Sequence, residues 1–310
     1  FVMSQIYAQT LRECGETVVP MVAGVIAVFI NLFLNYVLIY GKFGAPELGV
    51  VGAAWATVVA RTFEMLLAML WTHLHPRQFT FVKGLYSSMR VPLNLAKRLV
   101  LTGTPLLLSE TLWAIGMAML NQCYSYRGLM VVAAFNIATT ISNVFNTSYL
   151  ALGNATSILV GQKLGAGDME GAKDTDNKMI AFSVLSSIAV GIILMLFSPV
   201  FPHVYNTSAE TRSLAMWIIL LTALFMPQNA FITSAYFTVR SGGKTLITFF
   251  FDSFFVCAVS VPVAFLLSRF TAMHVLGIFI MVNACDWIKC IIGFILVKRD
   301  VWMQNIVDNL

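Results

Sequence analysis

Eight long apolar stretches constrain this chain more than any other feature of its sequence. A helix needs roughly 20 apolar residues to cross a bilayer core of about 30 Å, and each stretch is of that length. Charged residues make up only 11% of the chain, whereas a soluble domain carries roughly 25%. The sequence therefore predicts an all-α polytopic membrane protein with eight transmembrane helices, at about residues 19–40, 48–72, 99–123, 131–160, 179–201, 213–238, 246–268 and 274–297.

Lysine and arginine are distributed unequally between the two sets of loops. Thirteen lie before the first span, in every second loop after it and behind the last span, and four lie in the opposite loops. Because positive charge collects in cytoplasmic loops, the chain start, the linker and the C-terminus are predicted to be cytoplasmic. This makes the chain a multi-pass protein of the cell membrane. Its net charge of +5 follows from that bias, so no nucleic-acid partner is expected.

A short turn occurs twice in the sequence. LRECGETVVP at 11–20 and VRSGGKTLIT at 239–248 carry Arg, Gly and Thr at positions that are 228 residues apart. The same offset places Arg61 on Lys289, so the first two spans match the last two. A repeat of six helices keeps both copies in the same orientation, which is an established plan of membrane transporters.

The repeat predicts an uneven division of the chain. Residues 99–310 hold six spans and form a complete C-terminal lobe. Residues 1–73 hold only the last two helices of an N-terminal lobe, and residues 74–98 form a basic cytoplasmic linker that lies against anionic lipid headgroups. The four helices that would complete the first lobe have no counterpart in the sequence, so an N-terminally truncated chain is expected.

Three stretches resemble the multidrug and toxic compound extrusion (MATE) transporters. NLFLNYVLIYGKFGAPELGVVGAAWATVVAR (31–61) resembles their fifth and sixth helices, TGTPLLLSETLWAIG (102–116) the helix that opens their second lobe, and GNATSILVGQKLGAGDMEGAK (153–173) a cytoplasmic loop of that lobe. The resemblance implies a bacterial, monomeric carrier of two six-helix lobes, whose first four helices are absent here. It also implies alternating access that exchanges small organic cations, such as drugs, for H⁺ or Na⁺.

Four carboxylates are predicted to lie within spans, where a charge is costly and indicates function by default. Glu64 has Arg61 three residues away, and Asp286 has Lys289 at the same spacing. Residues three apart on a helix are neighbours on its surface. Both acids are therefore interpreted as members of structural ion pairs.

The other two carboxylates, Glu110 and Asp252, have no cation within reach in their own helices. Glu110 lies near the middle of its span among apolar neighbours, where a desolvated carboxyl can take up a proton near neutral pH. The resemblance implies a coupling residue at this place. Asp252 lies nearer the cytoplasmic end of its span and is a second candidate for proton or cation coupling. For each, a packing contact with another helix is the alternative.

Several polar residues within spans are further candidates. Asn31, Asn35 and Thr57 resemble the sodium site of archaeal members, although Asn35 stands where that site has an Asp. A neutral amide holds a cation less well than a carboxylate, so the packing of buried amides is the alternative.

A substrate cavity has three candidate lining residues. They are Trp113, Asn136 and Gln228, because polar and aromatic groups within spans suit a cavity that accepts flat cations. The five cysteines show no CxxC spacing and the four histidines lie in three different loops, so neither a metal site nor an enzyme is predicted. No cofactor is expected besides the coupling ion.

Two other functions remain open beside a drug antiporter. A flippase for a lipid-linked anionic sugar, from the same broader superfamily, would need unpaired Arg and Lys in its cavity. Here Arg61 and Lys289 each have an acid one turn away. An inactive truncated fragment is the other alternative.

The charge distribution predicts on which side of the membrane Lys83 lies. A Lys83→Cys variant in a cysteine-free background should not react with a membrane-impermeant thiol reagent added to intact cells, because its loop is cytoplasmic. The matched Arg269→Cys variant, in a loop on the other side, should react. Labelling of Lys83→Cys from outside would contradict the predicted orientation.

Overall fold

Helices contain most of the described residues, which are 2–84 and 92–304 of the computed structural model. Within these two ranges there is no strand, and eight helical segments are long and apolar enough to cross a membrane. The predicted all-α polytopic fold is therefore confirmed. Of the predicted linker, residues 85–91 with Arg90 lie outside the described part, as do residues 305–310 of the C-terminal lobe.

The helices follow one another through short turns. They are α1 Val2–Glu13, α2 Val18–Tyr40, α3 Gly49–Leu74, α4 Leu93–Ser125, α5 Leu129–Gly165, α6 Met169–Phe197, α7 Ala209–Ser241, α8 Thr245–Phe249, α9 Val261–Phe270 and α10 Val275–Lys298. Two π-helical segments, Phe250–Phe254 and Val256–Ser260, join α8 to α9 within one span. By contact the chain divides into two compact units, Phe1–Pro92 and Leu93–Leu310.

In the first unit, α2 and α3 pack along each other through small residues. A Cβ atom at Gly52 would lie 2.6 Å from the carbonyl oxygen of Leu38, so only glycine permits the approach of the two backbones. Ala56 and Ala60, one and two turns further along α3, are 0% and 3% exposed. Close contact through small residues is typical of helices in a membrane. Lipid tails are as apolar as leucine, so helices associate through close van der Waals packing, which small residues permit.

The predicted linker of residues 74–98 contains the start of α4, and its first part packs on the first unit. α4 begins at Leu93 rather than at residue 99. After α3, Phe79 and Val82 pack against Tyr7 and Leu11 of α1, and Phe79 is only 1% exposed. The basic residues of the linker give no indication of this contact, which depends on its apolar residues.

The second unit is built on α5, α6 and α7, which pack against one another, while α10 packs on α7 and α4 packs on the π-helical span. Gly191 of α6 meets α7 closely, since a Cβ atom there would lie 2.9 Å from the carbonyl oxygen of Ala223. α6 begins at a capping residue, Asp168, whose carboxylate accepts a hydrogen bond from the Gly171 N–H at 2.9 Å. That bond, with a smaller contribution from Lys163, lowers the pKa of Asp168.

The two copies of the repeated turn have the same conformation. Gly15 and Gly243 have φ values of 85° and 74°, a left-handed geometry that glycine adopts without strain. Each donates its N–H to the carbonyl oxygen of the preceding arginine, Arg12 or Arg240, at 2.9 Å. The likeness is local to the turns, and the spatial superposition of the two helix pairs stays a prediction.

The segment after α10 folds back onto the second unit. Trp302 is 0% exposed and packs against Val160, Leu164 and Ala172. A Cβ atom at Gly242 would collide with the carbonyl oxygen of Trp302. This contact explains a difference between the two turns, because the position equivalent to Gly242 in the first copy is a cysteine.

Removal of the Trp302 side chain should destabilise the second unit. Trp302→Ala empties a fully enclosed site, and such changes cost about 3–5 kcal/mol in free energy of unfolding. The matched Trp287→Ala variant, at a position that is 58% exposed, should cost much less. Denaturant unfolding of the detergent-purified protein measures both. Equal losses would show that the segment is not held by this contact.

Candidate functional site

The span that contains Asp252 departs from a regular α-helix. Asp252 lies in the first of the two π-helical segments, Phe250–Phe254. A π turn carries an extra residue, so it changes the direction in which the side chains beyond it point, and such turns are frequent at functional sites. Ser253, the next residue, is 1% exposed, and its Oγ lies 2.7 Å from the Oγ of Ser109 on α4. This hydrogen bond fixes the π-helical segment against α4.

Asp252 forms an ion pair with Lys289 of α10. The Lys289 Nζ lies 2.6 Å from the Asp252 Oδ1, and the two side chains are 6% and 24% exposed. The same ammonium lies 6.0 and 5.8 Å from the ring centres of Phe251 and Phe255, which adds cation–π attraction. Asp252, a candidate coupling acid with no cation in its own helix, is therefore the counter-charge of a buried lysine on a neighbouring helix, as its alternative interpretation has it.

The predicted ion pair between Asp286 and Lys289 is wrong. The Lys289 ammonium bonds to Asp252, and the Oδ1 of Asp286 is buried with no hydrogen-bond partner in the part of the chain that the structure describes. Spacing along one helix predicts which residues share a face, but not which acid a neighbouring helix presents. The π-helical turn that brings Asp252 to α10 leaves no signal in a count of residues.

Glu110 differs from its prediction in two respects. Its side chain is 63% exposed rather than desolvated, and Arg240 of α7 lies with its Nη1 3.7 Å from the Glu110 Oε1. The arginine, counted among the loop charges of the sequence, also lies 6.0 and 5.9 Å from the ring centres of Tyr236 and Phe237. Glu110 is thus an open carboxylate with a loosely held cation beside it.

Two ion pairs thus join helices of the second unit. Glu110 and Arg240 join α4 to α7, and Asp252 and Lys289 join the π-helical segment to α10. The Tyr236 ring lies beside Arg240 on α7. The sequence identifies both acids, but not the partner Arg240 or its neighbour Tyr236, because spacing along one helix does not reveal a partner on another helix.

The candidate amide site of the first unit is brought together as predicted. The Asn35 Nδ2 donates to the Asn31 Oδ1 at 3.0 Å, and the Asn31 Nδ2 donates to the Thr57 Oγ1 at 3.3 Å. The hydroxyl of Thr57 donates in turn to the Ala53 carbonyl oxygen. One of these bonds, between Asn31 and Thr57, joins α2 to α3, the other two lie within a single helix, and the buried Oδ1 of Asn35 is left over. This arrangement favours the packing interpretation over a cation site.

The three predicted cavity residues have different surroundings. Gln228 is 7% exposed and donates to the Asn283 carbonyl oxygen at 2.9 Å. It therefore links α7 to α10, and its assignment to an open cavity is wrong. Trp113 is 42% exposed and Asn136 is also exposed, so both remain candidates. Over residues 2–84 and 92–304, no three metal-ligating side chains cluster, and all five cysteines are free.

Comparison with known proteins gives one family match. The family model described as MatE matches residues 105–266, just over half of the chain. "Probable multidrug resistance protein YoeA" of Bacillus subtilis is 28% identical over 282 residues, which are 88% of this chain and 59% of that protein. "Multidrug resistance protein NorM" of Aliivibrio fischeri is 31% identical over 227 residues, 72% of this chain and 49% of that protein.

Solved structures agree with this match at the level of the fold. The "Outward-facing conformation of a multidrug resistance MATE family transporter of the MOP superfamily" has a TM-score of 0.83 at 22% identity, over 96% of this chain and 66% of that one. The "Crystal structure of MATE in the bent conformation" has a TM-score of 0.81. The chain spans about three fifths of the length of its first two curated relatives, 59% and 60%.

The predicted ion pair of Arg61 and Glu64 is present, and its contribution to stability can be tested by mutation. The Arg61 Nη1 lies 2.7 Å from the Glu64 Oε2, and the two side chains are 45% and 9% exposed. Arg61→Met should lower the free energy of unfolding by about 3–5 kcal/mol, because it leaves a buried carboxylate without its counter-charge.

Two further variants serve as controls. Glu64→Gln should cost less, since the cation that remains is half-exposed, and the double variant should recover part of the loss. Unfolding of the purified protein in denaturant measures all three. An Arg61→Met variant as stable as the wild type would show that the pair contributes nothing.

Proposed function

Because this chain belongs to the MatE family, we propose that it forms part of a secondary active multidrug efflux transporter. Relatives named for multidrug resistance support this activity. The carrier lies in the cell membrane with its C-terminus in the cytoplasm, works as a monomer and exports small organic cations. It exchanges them for H⁺ or Na⁺ by alternating access.

The open carboxylate of Glu110 is the observation that supports this proposal best. A charged group on a membrane-spanning helix is costly and indicates function by default. Glu110 lies on such a helix with 63% of its side chain exposed. A cation that enters from the exposed side can reach it. Glu110 therefore has the accessibility that a binding site for a drug cation or a proton needs.

The cation beside Glu110 is held weakly enough to be displaced. The distance of 3.7 Å between Arg240 and Glu110 is longer than the 2.7 Å between Arg61 and Glu64. A charge-assisted hydrogen bond is about 2.7–2.9 Å long, so the longer contact is an attraction between charges without a full hydrogen bond. An organic cation or a proton competes with Arg240 for the carboxylate, and binding of one excludes the other.

The cations of the spans argue against transport of an anionic lipid-linked sugar. Arg61, Arg240 and Lys289 each lie within 4.0 Å of a carboxylate. Their positive charge is therefore compensated inside the protein. A pocket for phosphate or another anion needs cations that remain available, so export of cations fits these residues better.

Glu110→Gln should strongly reduce coupled transport without loss of the protein from the membrane. The amide keeps the shape of the side chain but cannot ionise. Efflux of a cationic dye, per unit of membrane protein, should fall by about tenfold or more, since a hydrogen bond to a charged group contributes roughly 1.5–3 kcal/mol. The measurement uses the protein in its full natural length, produced in drug-sensitive cells.

Two other variants isolate the role of Glu110. Glu210→Gln, at an exposed position in the first turn of α7, should transport normally. Glu64→Gln should reduce the amount of protein in the membrane before it reduces efflux per molecule. If Glu110→Gln exports the dye as well as the wild type at every pH tested, Glu110 is not the coupling residue.

A further inference from the structure

Lys289 of α10 has two acids within reach but bonds to only one of them. Its ammonium is 2.6 Å from the Asp252 carboxylate. Asp286 precedes it by three residues on the same helix, and residues at that spacing are neighbours on a helix surface. The charges of Lys289 and Asp252 both act on Asp286. One cation therefore serves two carboxyl groups.

The charges of this triad do not balance when every group is ionised. Asp252, Asp286 and Lys289 together would carry one uncompensated negative charge. Asp286 is the group with the weaker compensation, because the Lys289 ammonium bonds to Asp252 and the Asp286 side chain, which is half-buried, has a buried Oδ1 without a hydrogen-bond partner among the described residues. A buried carboxylate without a partner takes up a proton rather than remain charged.

Other titratable groups near Asp286 do not supply the missing positive charge. Those whose interaction with it is resolved are a phenol at the end of α4 and two thiols on its own helix: Tyr124, Cys285 and Cys290. The helices α7 and α9, which pack on α10, contribute Arg240, which lies beside Glu110, Arg212, which bonds to the Tyr205 carbonyl oxygen, and Arg269, which is exposed. Lys289 is thus the cation that could neutralise Asp286, and Asp252 occupies it.

We propose that the Asp286 carboxyl binds a proton, and that Lys289 is a switch that pairs with Asp252 or with Asp286 while the other acid is protonated. When Lys289 moves to Asp286, the O–H bond of Asp286 breaks and its proton passes to water. Asp252, released from its ion pair, takes a proton from water. The triad holds one proton and no net charge in both states.

The proposed exchange uses the flexibility of the Lys289 side chain. A lysine side chain is a point charge on a flexible four-carbon stem, so its ammonium can rotate between an acid on its own helix and one on the neighbouring span. The aromatic rings of Phe251 and Phe255, both within 6.0 Å of the ammonium, attract it without donating or accepting a proton. Lys289 stays charged throughout.

This inference rests on the proposed transport function for its role, since it gives that carrier a proton-exchanging group separate from Glu110. Its test uses protonation itself. If the triad is protonated as proposed but Glu110→Gln exports dye normally, the proposed role of Glu110 fails and the inference stands. If Glu110→Gln loses dye efflux but the triad is not protonated, the inference fails and the proposed role of Glu110 stands.

Infrared spectroscopy of the detergent-purified chain at neutral pH measures the proton directly. A protonated carboxyl has a C=O stretching band that a carboxylate lacks, and isotope-labelled aspartate shifts that band if an aspartic acid is its source. The wild-type protein should show it. Asp286→Asn should lose the component assigned to Asp286, while bands from other buried acids stay.

A second variant tests the switch and does not depend on the first. Asp252→Asn removes the present partner of Lys289, which should then pair with Asp286 and ionise it. The Asp286 band should therefore disappear although Asp286 is intact. Asp174→Asn, at an exposed acid that pairs with Lys178 at 2.6 Å, is the matched control and should lose no band. Circular dichroism and size-exclusion chromatography confirm that each variant is folded.

Two results would overturn the inference. If neither Asp286→Asn nor Asp252→Asn loses an aspartic acid band, Asp286 is ionised and the triad does not hold a proton. If Asp286→Asn loses the band but Asp252→Asn keeps it, Lys289 does not move to Asp286 and is a fixed partner of Asp252.

Discussion

The attraction between Lys289 and Asp252 joins α10 to the span that packs on α4, and the arrangement of the charged groups depends on it. Lys289 alone would be a buried charge with a desolvation cost of several kcal/mol, and Asp252 alone would be a half-buried one. Together, at 2.6 Å, they neutralise each other among aromatic rings. The pairing leaves the Asp286 carboxyl without a bonded cation.

Two kinds of contact stabilise the rest of each unit. Small residues allow helices to pack closely, and the segment after the last helix of each unit packs back onto that unit. Gly52 in the first unit and Gly191 in the second allow two backbones to approach to a distance that a Cβ atom would prevent. In each unit, a buried aromatic residue after the last helix packs on the unit's own helices, Phe79 in one and Trp302 in the other. The two units thus share this feature although the aromatic residues are not at equivalent positions of the repeat.

Much of the fold could be predicted from the sequence because its signals are local. The eight spans follow from hydropathy, and the conformation of Gly243 follows from its match with Gly15. The Arg61–Glu64 and Asn31–Asn35 contacts were also predictable, since residues three or four apart on a helix meet. The pairing of Lys289 with Asp252 and the place of Arg240 beside Glu110 could not be predicted, because both cross between helices.

The sequence by itself determined the number of spans, the likeness of the two turns and the acids that belong to the membrane part of the chain. These properties depend on hydropathy, spacing and residue type. The tertiary structure decided which cation each acid meets, that Gln228 is buried against α10, and that Glu110 is open. The physical reason is that a charge or an amide in an apolar environment selects its partner by distances between helices, and the π-helical turn at Asp252 sets one of those distances in a way that residue spacing does not reveal.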